Sequence, residues 1–373
     1  MASQRLTLII LLLSLFTLSS SSLHTGITVY WGQNAGEGPL VSACDNGNYD
    51  TVLLAFLNKF GAGRTPAWDF AGHCDKGSAK KCTELESEIK YCQEKGIKVL
   101  LSIGGNPSNS DYSLNSPDDA KEVAKYLFKN FLSGQYGPLG SVKLDGIDFF
   151  IEKTEDYWDD LAKELDSLRQ TISRPFSLSA APSCLTYPIP YLGKAIATKL
   201  FDYVFVKFYD NPSCSYVGGL NTLLGSWDKW VDLVASPNLL FLGLPAAPNA
   251  GEGYIPPEFL IRRVLPHAKL ASNYGGVMLW DRYYDAKTGY SDQIFHVSKS
   301  NVQVSEASVS DKIYPWWCEN RDCRERVTGD ELETAIVVVR RRSSEAHSKA
   351  KVWIVFLSSL AVVLGGCLRA GRL

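Results

Sequence analysis

The sequence predicts a single-domain α/β protein folded as a (β/α)8 TIM barrel, and three observations carry that prediction. Short apolar runs alternate with helical patterns from residue 27 to about residue 300, and eight such runs can be counted. The runs are near-continuously apolar, as strands of a parallel sheet covered on both faces are. No glycine-rich fingerprint follows the first run, which disfavours a doubly wound open sheet.

In chain order the runs are Ile27–Trp31, Val52–Leu57, Lys98–Ile103, Leu144–Glu152, Phe176–Ala181, Tyr203–Tyr209, Leu239–Leu244 and Gly276–Trp280. Gly104-Gly105 stops the third. Between the second and third, Glu84–Gly96 reads as a helix closed by a glycine cap. Asp118–Leu132 is amphipathic, with Ala120, Val123, Ala124, Leu127 and Phe131 near i, i+3, i+4, i+7 spacing. Asp156–Leu168, Gly225–Leu233 and Pro256–His267 are the later helical candidates.

The fourth run carries the chemistry. It reads Leu-Asp-Gly-Ile-Asp-Phe-Phe-Ile-Glu, an apolar segment interrupted by acids. In an extended strand alternate residues share a face, so Asp148, Phe150 and Glu152 point the same way. Buried carboxylates are costly unless paired or put to chemical use. Two facing one cavity suggest acid–base chemistry, and the phenylalanine between them is out of place. The competing reading is a core strand whose carboxylates are satisfied by backbone donors or a lysine. In a barrel the chemistry sits at the C-terminal ends of the strands, where Glu152, Tyr209 and Trp280 fall, and that convergence favours the functional reading.

Composition adds bounds. A formal net charge of -2 gives no electrostatic case for nucleic acid. Nine tryptophans and 12% aromatic residues suit a protein that stacks sugar rings, although a rich core gives the same count. Residues 1–23 read as a secretory leader: Arg5, then apolar Leu6–Leu18, then the small Ser19–Ser22 run, with the apolar part short for a membrane span. Export permits disulfides among the nine cysteines. None has metal-site spacing with nearby histidines, so neither a metal nor a cofactor is expected.

The barrel is assigned to residues 24–300. Residues 301–351 form a polar tail holding Trp316-Trp317-Cys318, Cys323 and the basic Arg340-Arg341-Arg342. Residues 352–368 are apolar and marginal in length for a span. A short C-terminal membrane anchor, a removed targeting tail and an appendage without function stay open. Cys318 and Cys323 are close enough to bridge locally, which leaves Cys367 over.

Specific stretches now point to a family. They are Val29-Tyr30-Trp31-Gly32-Gln33-Asn34, Ala55-Phe56-Leu57-Asn58-Lys59-Phe60-Gly61, Ser102-Ile103-Gly104-Gly105, Ala180-Ala181-Pro182, Phe208-Tyr209 and Gly275-Gly276-Val277-Met278-Leu279-Trp280. With them, Gly26–Val297 resembles the plant class III chitinases of glycoside hydrolase family 18. The resemblance implies disulfides Cys44–Cys92, Cys74–Cys82 and Cys184–Cys214. It implies Glu152 as proton donor, with Asp148 and Tyr209 beside it. It also implies a sugar cleft contacted by Tyr30, Gln33, Asn58, Gly105, Trp280 and Asp281. Chitin or N-acetylglucosamine oligomers are the implied ligands, cleaved by substrate-assisted retaining hydrolysis in which the N-acetyl carbonyl attacks the anomeric carbon, an exception to the two-carboxylate scheme.

The chain departs from the family pattern Asp-X-X-Asp-X-Asp-X-Glu. Asp145, Asp148 and Glu152 match, but the third acid is Phe150. In the family that acid holds the acetamide and stabilises developing positive charge, which a phenyl ring cannot do. Loss of one such preorganised partner costs on the order of 10²- to 10³-fold in rate. A second departure is Lys207 in place of the usual glutamine. It shares a strand face with Tyr209, so an ion pair with Glu152 is expected, and a lysine partner favours the charged carboxylate, the reverse of what a proton donor needs. Asp210 stands where asparagine is common. Relatives with a damaged pattern include xylanase inhibitors and lectins, so the expected function is a secreted chitinase-like binder or inhibitor of microbial xylanases. The alternative is an active endochitinase.

Overall fold

The computed structural model describes residues 26–74, 82–154, 156–173, 175–234 and 236–299. Eight parallel strands close on themselves: β1 (Gly26–Trp31), β2 (Tyr49–Phe60), β3 (Lys98–Gly104), β4 (Gly146–Phe150), β5 (Ser177–Ala180), β6 (Tyr203–Lys207), β7 (Leu239–Pro245) and β8 (Tyr274–Trp280). Pairing of β1 with both β2 and β8 completes the ring. Two short strands, Ala67–Trp68 and Asp111–Tyr112, pair with the far end of β2 and raise a wall beside the mouth.

Side-chain parity divides the apolar residues into two cores. Ile147, Phe149 and Ile151 pack outward against the helical shell, in the larger core. Tyr30, Leu53, Phe56, Phe150, Phe205 and Met278 belong to a smaller cluster that fills the barrel. The shell includes α1 (Leu40–Asp45), α2 (Leu85–Glu94), α3 (Pro117–Leu127), α4 (Trp158–Arg169), α5 (Gly193–Ala197), α6 (Leu220–Leu233), α7 (Arg282–Thr288) and α8 (Tyr290–Lys299). Helix α3 starts one residue before the expected Asp118 and gives way to a π turn at Phe128–Leu132: at its start the Ser116 hydroxyl accepts from the Asp119 amide at 3.1 Å, and Pro117 occupies the first turn. The three disulfides implied by the resemblance, Cys44–Cys92, Cys74–Cys82 and Cys184–Cys214, are formed.

Several boundaries differ from expectation. Strand β4 ends at Phe150 rather than Glu152, because the Glu152 amide leaves the ladder and donates to the Tyr112 hydroxyl at 2.9 Å. Likewise β6 ends at Lys207, and Tyr209 follows in the connecting loop. The helix expected over Pro256–His267 is interrupted by a π turn at Leu260–Val264. Helices α1, α5, α7 and α8 were not anticipated. The leader, the tail after residue 300, Cys318, Cys323 and Cys367 lie outside the described residues. Among the described residues no helix is long and apolar enough to cross a membrane.

At the end of β3, Gly104 has φ +112°, and a Cβ there would lie 2.1 Å from the Phe150 carbonyl oxygen. That carbonyl receives the Gly105 amide at 2.9 Å. Gly47 also has positive φ, +78°, but a Cβ there meets nothing within 4 Å. Gly47→Ala should therefore cost only the left-handed strain of about 1 kcal/mol, whereas Gly104→Ala should cost about 3 kcal/mol because the β3–β4 contact must open. Denaturant unfolding of the two variants measures the difference.

Candidate functional site

Register creates a polar layer inside the apolar barrel. Ser102 on β3 and Ser179 on β5 stand directly opposite Asp148 on β4. Both hydroxyls donate to the Asp148 carboxylate at 2.7 Å, and Tyr30 on β1 donates from across the barrel at 2.9 Å. Asp148 is fully buried. Burial raises its proton affinity, while the three hydroxyls and the Lys207 charge oppose the rise. The Tyr30 phenol is pushed well above its ordinary range by burial and then by the Asp148 charge, so it stays a donor.

Above this layer Phe150 takes the centre of the mouth. Its ring centroid lies 4.9 Å from Phe56, 5.4 Å from Tyr30 and 5.6 Å from Trp280. Lys207 at the end of β6 is buried, and its ammonium sits 3.9 Å from the Phe150 centroid. The same ammonium forms an ion pair with Glu152, whose side chain keeps 31% of its surface exposed. A buried lysine requires such partners, because an unpaired ammonium in an apolar cluster is strongly destabilising. Parity on β4 thus places Asp148 and Phe150 inward, and Glu152 reaches the same space from just past the strand end.

The other expected contacts divide. The Tyr209 hydroxyl is buried, has no hydrogen-bond partner among the described residues, and is held protonated by burial and then by Glu152. Trp280 is half-buried and bounds the mouth against Tyr30 and Phe56. Gln33 spends its amide on the backbone carbonyls of Gly32 and Ala55 at 2.8 and 2.7 Å, so it shapes the rim. Asp281 is turned inward: it is buried, and its carboxylate caps α7 by accepting from the Tyr284 amide at 3.3 Å. Asp145 is remote from the mouth, where it accepts from Gln93 at 2.8 Å and from the Val99 amide at 3.0 Å.

Asn58 donates to the Asn109 carbonyl at 3.1 Å, at one side of a polar groove of about 440 Å³ lined by Trp68, Asp69 and Ser108–Asp111. Gly105 has φ +96° and lies against the Phe56 ring, where a Cβ would come within 2.9 Å. Asp210, also at positive φ, accepts from the Glu252 amide at 2.6 Å and so orders its own loop.

Sequence reasoning missed Ser102, Ser179 and Phe56. The serines are isolated polar residues in apolar strands, a usable sign of an inward partner, but only register shows that both flank one carboxylate. Phe56 lay in a motif stretch without a role. The Phe150–Lys207 contact predicts a coupling: in a double-mutant cycle of Phe150→Leu and Lys207→Met, denaturant unfolding should report an interaction of about 0.5–2 kcal/mol. Strict additivity would exclude an energetic contact.

The sequence model of Glycosyl hydrolases family 18 matches residues 26–253. An acidic endochitinase of Arabidopsis thaliana is 48% identical over 280 residues, covering 74% of this chain and 91% of the relative. Among solved structures, xylanase-alpha-amylase inhibitor protein XAIP-I in complex with trehalose superposes with a TM-score of 0.67 at 44% identity, covering 73% of this chain and 98% of the other. A tamarind chitinase-like lectin gives a TM-score of 0.61 at 38% identity, covering 72% and 98%. The chain therefore belongs to glycosyl hydrolase family 18.

Proposed function

We propose that this protein is a secreted, chitinase-like binder whose hydrolytic site is silenced from within. The observation that carries the reading is the Phe150 ring. It is packed against Tyr30, Phe56 and Trp280 at the centre of the mouth, with the Lys207 ammonium over its face and tied to Glu152. In the substrate-assisted reaction the acetamide needs an acid beside it at that place. Here the place is apolar and filled, and the proton donor is committed to a cation.

Binding surfaces persist around the blocked centre. The half-buried Trp280 and the groove beside Asn58 and Trp68 suit ring faces and sugar hydroxyls. N-acetylglucosamine oligomers are accordingly the carbohydrate ligand. Likeness to XAIP-I supports microbial xylanases as candidate protein partners. The leader-like residues 1–23 and three disulfides support export.

A second reading, a slow endochitinase, is favoured by 48% identity to an acidic endochitinase together with retention of Glu152 and Tyr209. Turnover of chitin oligomers separates the two. The natural protein should be slower than its Phe150→Asp/Lys207→Gln variant by on the order of 10²-fold, and oligomer binding should survive Glu152→Gln. Cleavage by the natural protein as fast as by the double variant would sink the silent-site reading. Inhibition assays against fungal xylanases, run on the full chain, test the protein partner.

A further inference from the structure

A second buried ionic cluster lies on the rim, outside the site described above. Glu37, in the loop after β1, is buried. Its Oε1 accepts from the Gly32 amide at 2.8 Å and from the Asn34 amide at 3.0 Å, and lies 3.2 Å from His73 Nε2. These two amides flank Gln33, so one carboxylate oxygen fixes the backbone on both sides of a mouth residue. His73 Nε2 also lies 3.1 Å from the Asn34 carbonyl oxygen, and its ring packs on Trp31 with centroids 4.3 Å apart. Glu37 Oε2 is buried with no partner among the described residues.

We infer that His73 and Glu37 form a proton-linked latch that holds segment 32–37 to the loop carrying His73, and thereby positions Gln33 at the barrel mouth. Three features argue for it. The imidazole bridges two loops that share no strand pairing. Its carboxylate partner is the group that binds the rim amides, so proton loss at the ring weakens the contact on which rim order depends. A groove of about 340 Å³ lined by Trp31, Pro39, His73 and Glu88 gives protons access to the ring.

The charged groups around the latch are Glu37 itself, Glu88 on α2 and, acting through Glu37, Asp281 at the end of β8. Burial alone would lower the proton affinity of His73, but its contacts with Glu37 and the Asn34 carbonyl, and the charges of Glu37 and Glu88, outweigh it and raise it above the ordinary imidazole value. A histidine raised on folding adds stability that is complete below its unfolded midpoint and is lost as pH climbs through the folded one. Asp281 acts in the same direction: burial, and then the Glu37 charge, push its carboxyl up to about 7. The folded chain therefore holds that proton more tightly than the unfolded chain, and this contribution also fades as pH rises through about 7. The latch is closed in acid and loosens above neutrality.

Two measurements on the full chain test it. In NMR titration His73 should have a midpoint above the free-imidazole value of about 6.5, falling by about one pH unit in Glu37→Gln. Hydrogen exchange, corrected for the intrinsic pH dependence, should show the Gly32 and Asn34 amides losing about tenfold in protection between pH 5 and pH 8. A His73 midpoint at or below the free value, or one unmoved by Glu37→Gln, would overturn the proposal. So would rim protection that does not change with pH. Both wild-type measurements decide the matter even where Glu37→Gln fails to fold.

Discussion

The contact between a phenyl ring and an ammonium organises the mouth of this barrel. Phe150 packs against Tyr30, Phe56 and Trp280, and its face receives Lys207, which in turn engages Glu152. Each group needs the others. Lysine is tolerated in an apolar cluster because a π face and a carboxylate compensate its lost hydration. Without the lysine, Glu152 would lose the cation beside it. Phe150, Lys207 and Glu152 therefore form one structural unit.

Beneath that unit, the β3–β4–β5 register sets a fixed polar floor. Three hydroxyls donate to Asp148, so that both its oxygens are hydrogen-bonded, which explains how a fully buried carboxylate is accommodated without a cation in direct contact. The same floor suits an enzyme or a binding protein. What distinguishes them is the layer above, where charge and shape meet the ligand. This is the general pattern for barrels, in which the strands supply a rigid frame and the chemistry is decided by a few residues at the strand ends. Relatives of similar overall fold carry the names endochitinase, xylanase-alpha-amylase inhibitor and lectin, in keeping with that division.

The rim adds a different kind of control. Glu37 ties the loop after β1 to His73, and burial, followed by the Glu37 charge, raises the proton affinity of Asp281 next to Trp280. β1 and β8 are adjacent in the ring, so this electrostatic influence passes between neighbouring strand ends through buried side chains, where screening by solvent is weak. Asp281 also serves as an inward helix cap through the Tyr284 amide, a role that its place beside the mouth tryptophan does not suggest.

Local pattern in the sequence was enough to specify eight apolar runs, their alternation with helices and the shared face of Asp148 and Phe150. Each of these depends on periodicity along one segment, two residues per repeat in a strand and 3.6 in a helix. It also located Lys207 on the face of its strand that looks toward Glu152. The partners of Asp148, the packing of three rings around Phe150 and the inward turn of Asp281 were decided only by tertiary structure. They depend on how strands far apart in the chain are staggered around a closed ring, and a shift of one residue would turn Ser102 or Ser179 away from Asp148. The ladder also ends two residues before Glu152, because a tyrosine hydroxyl from a distant short strand takes its amide. No periodicity within β4 encodes that competitor.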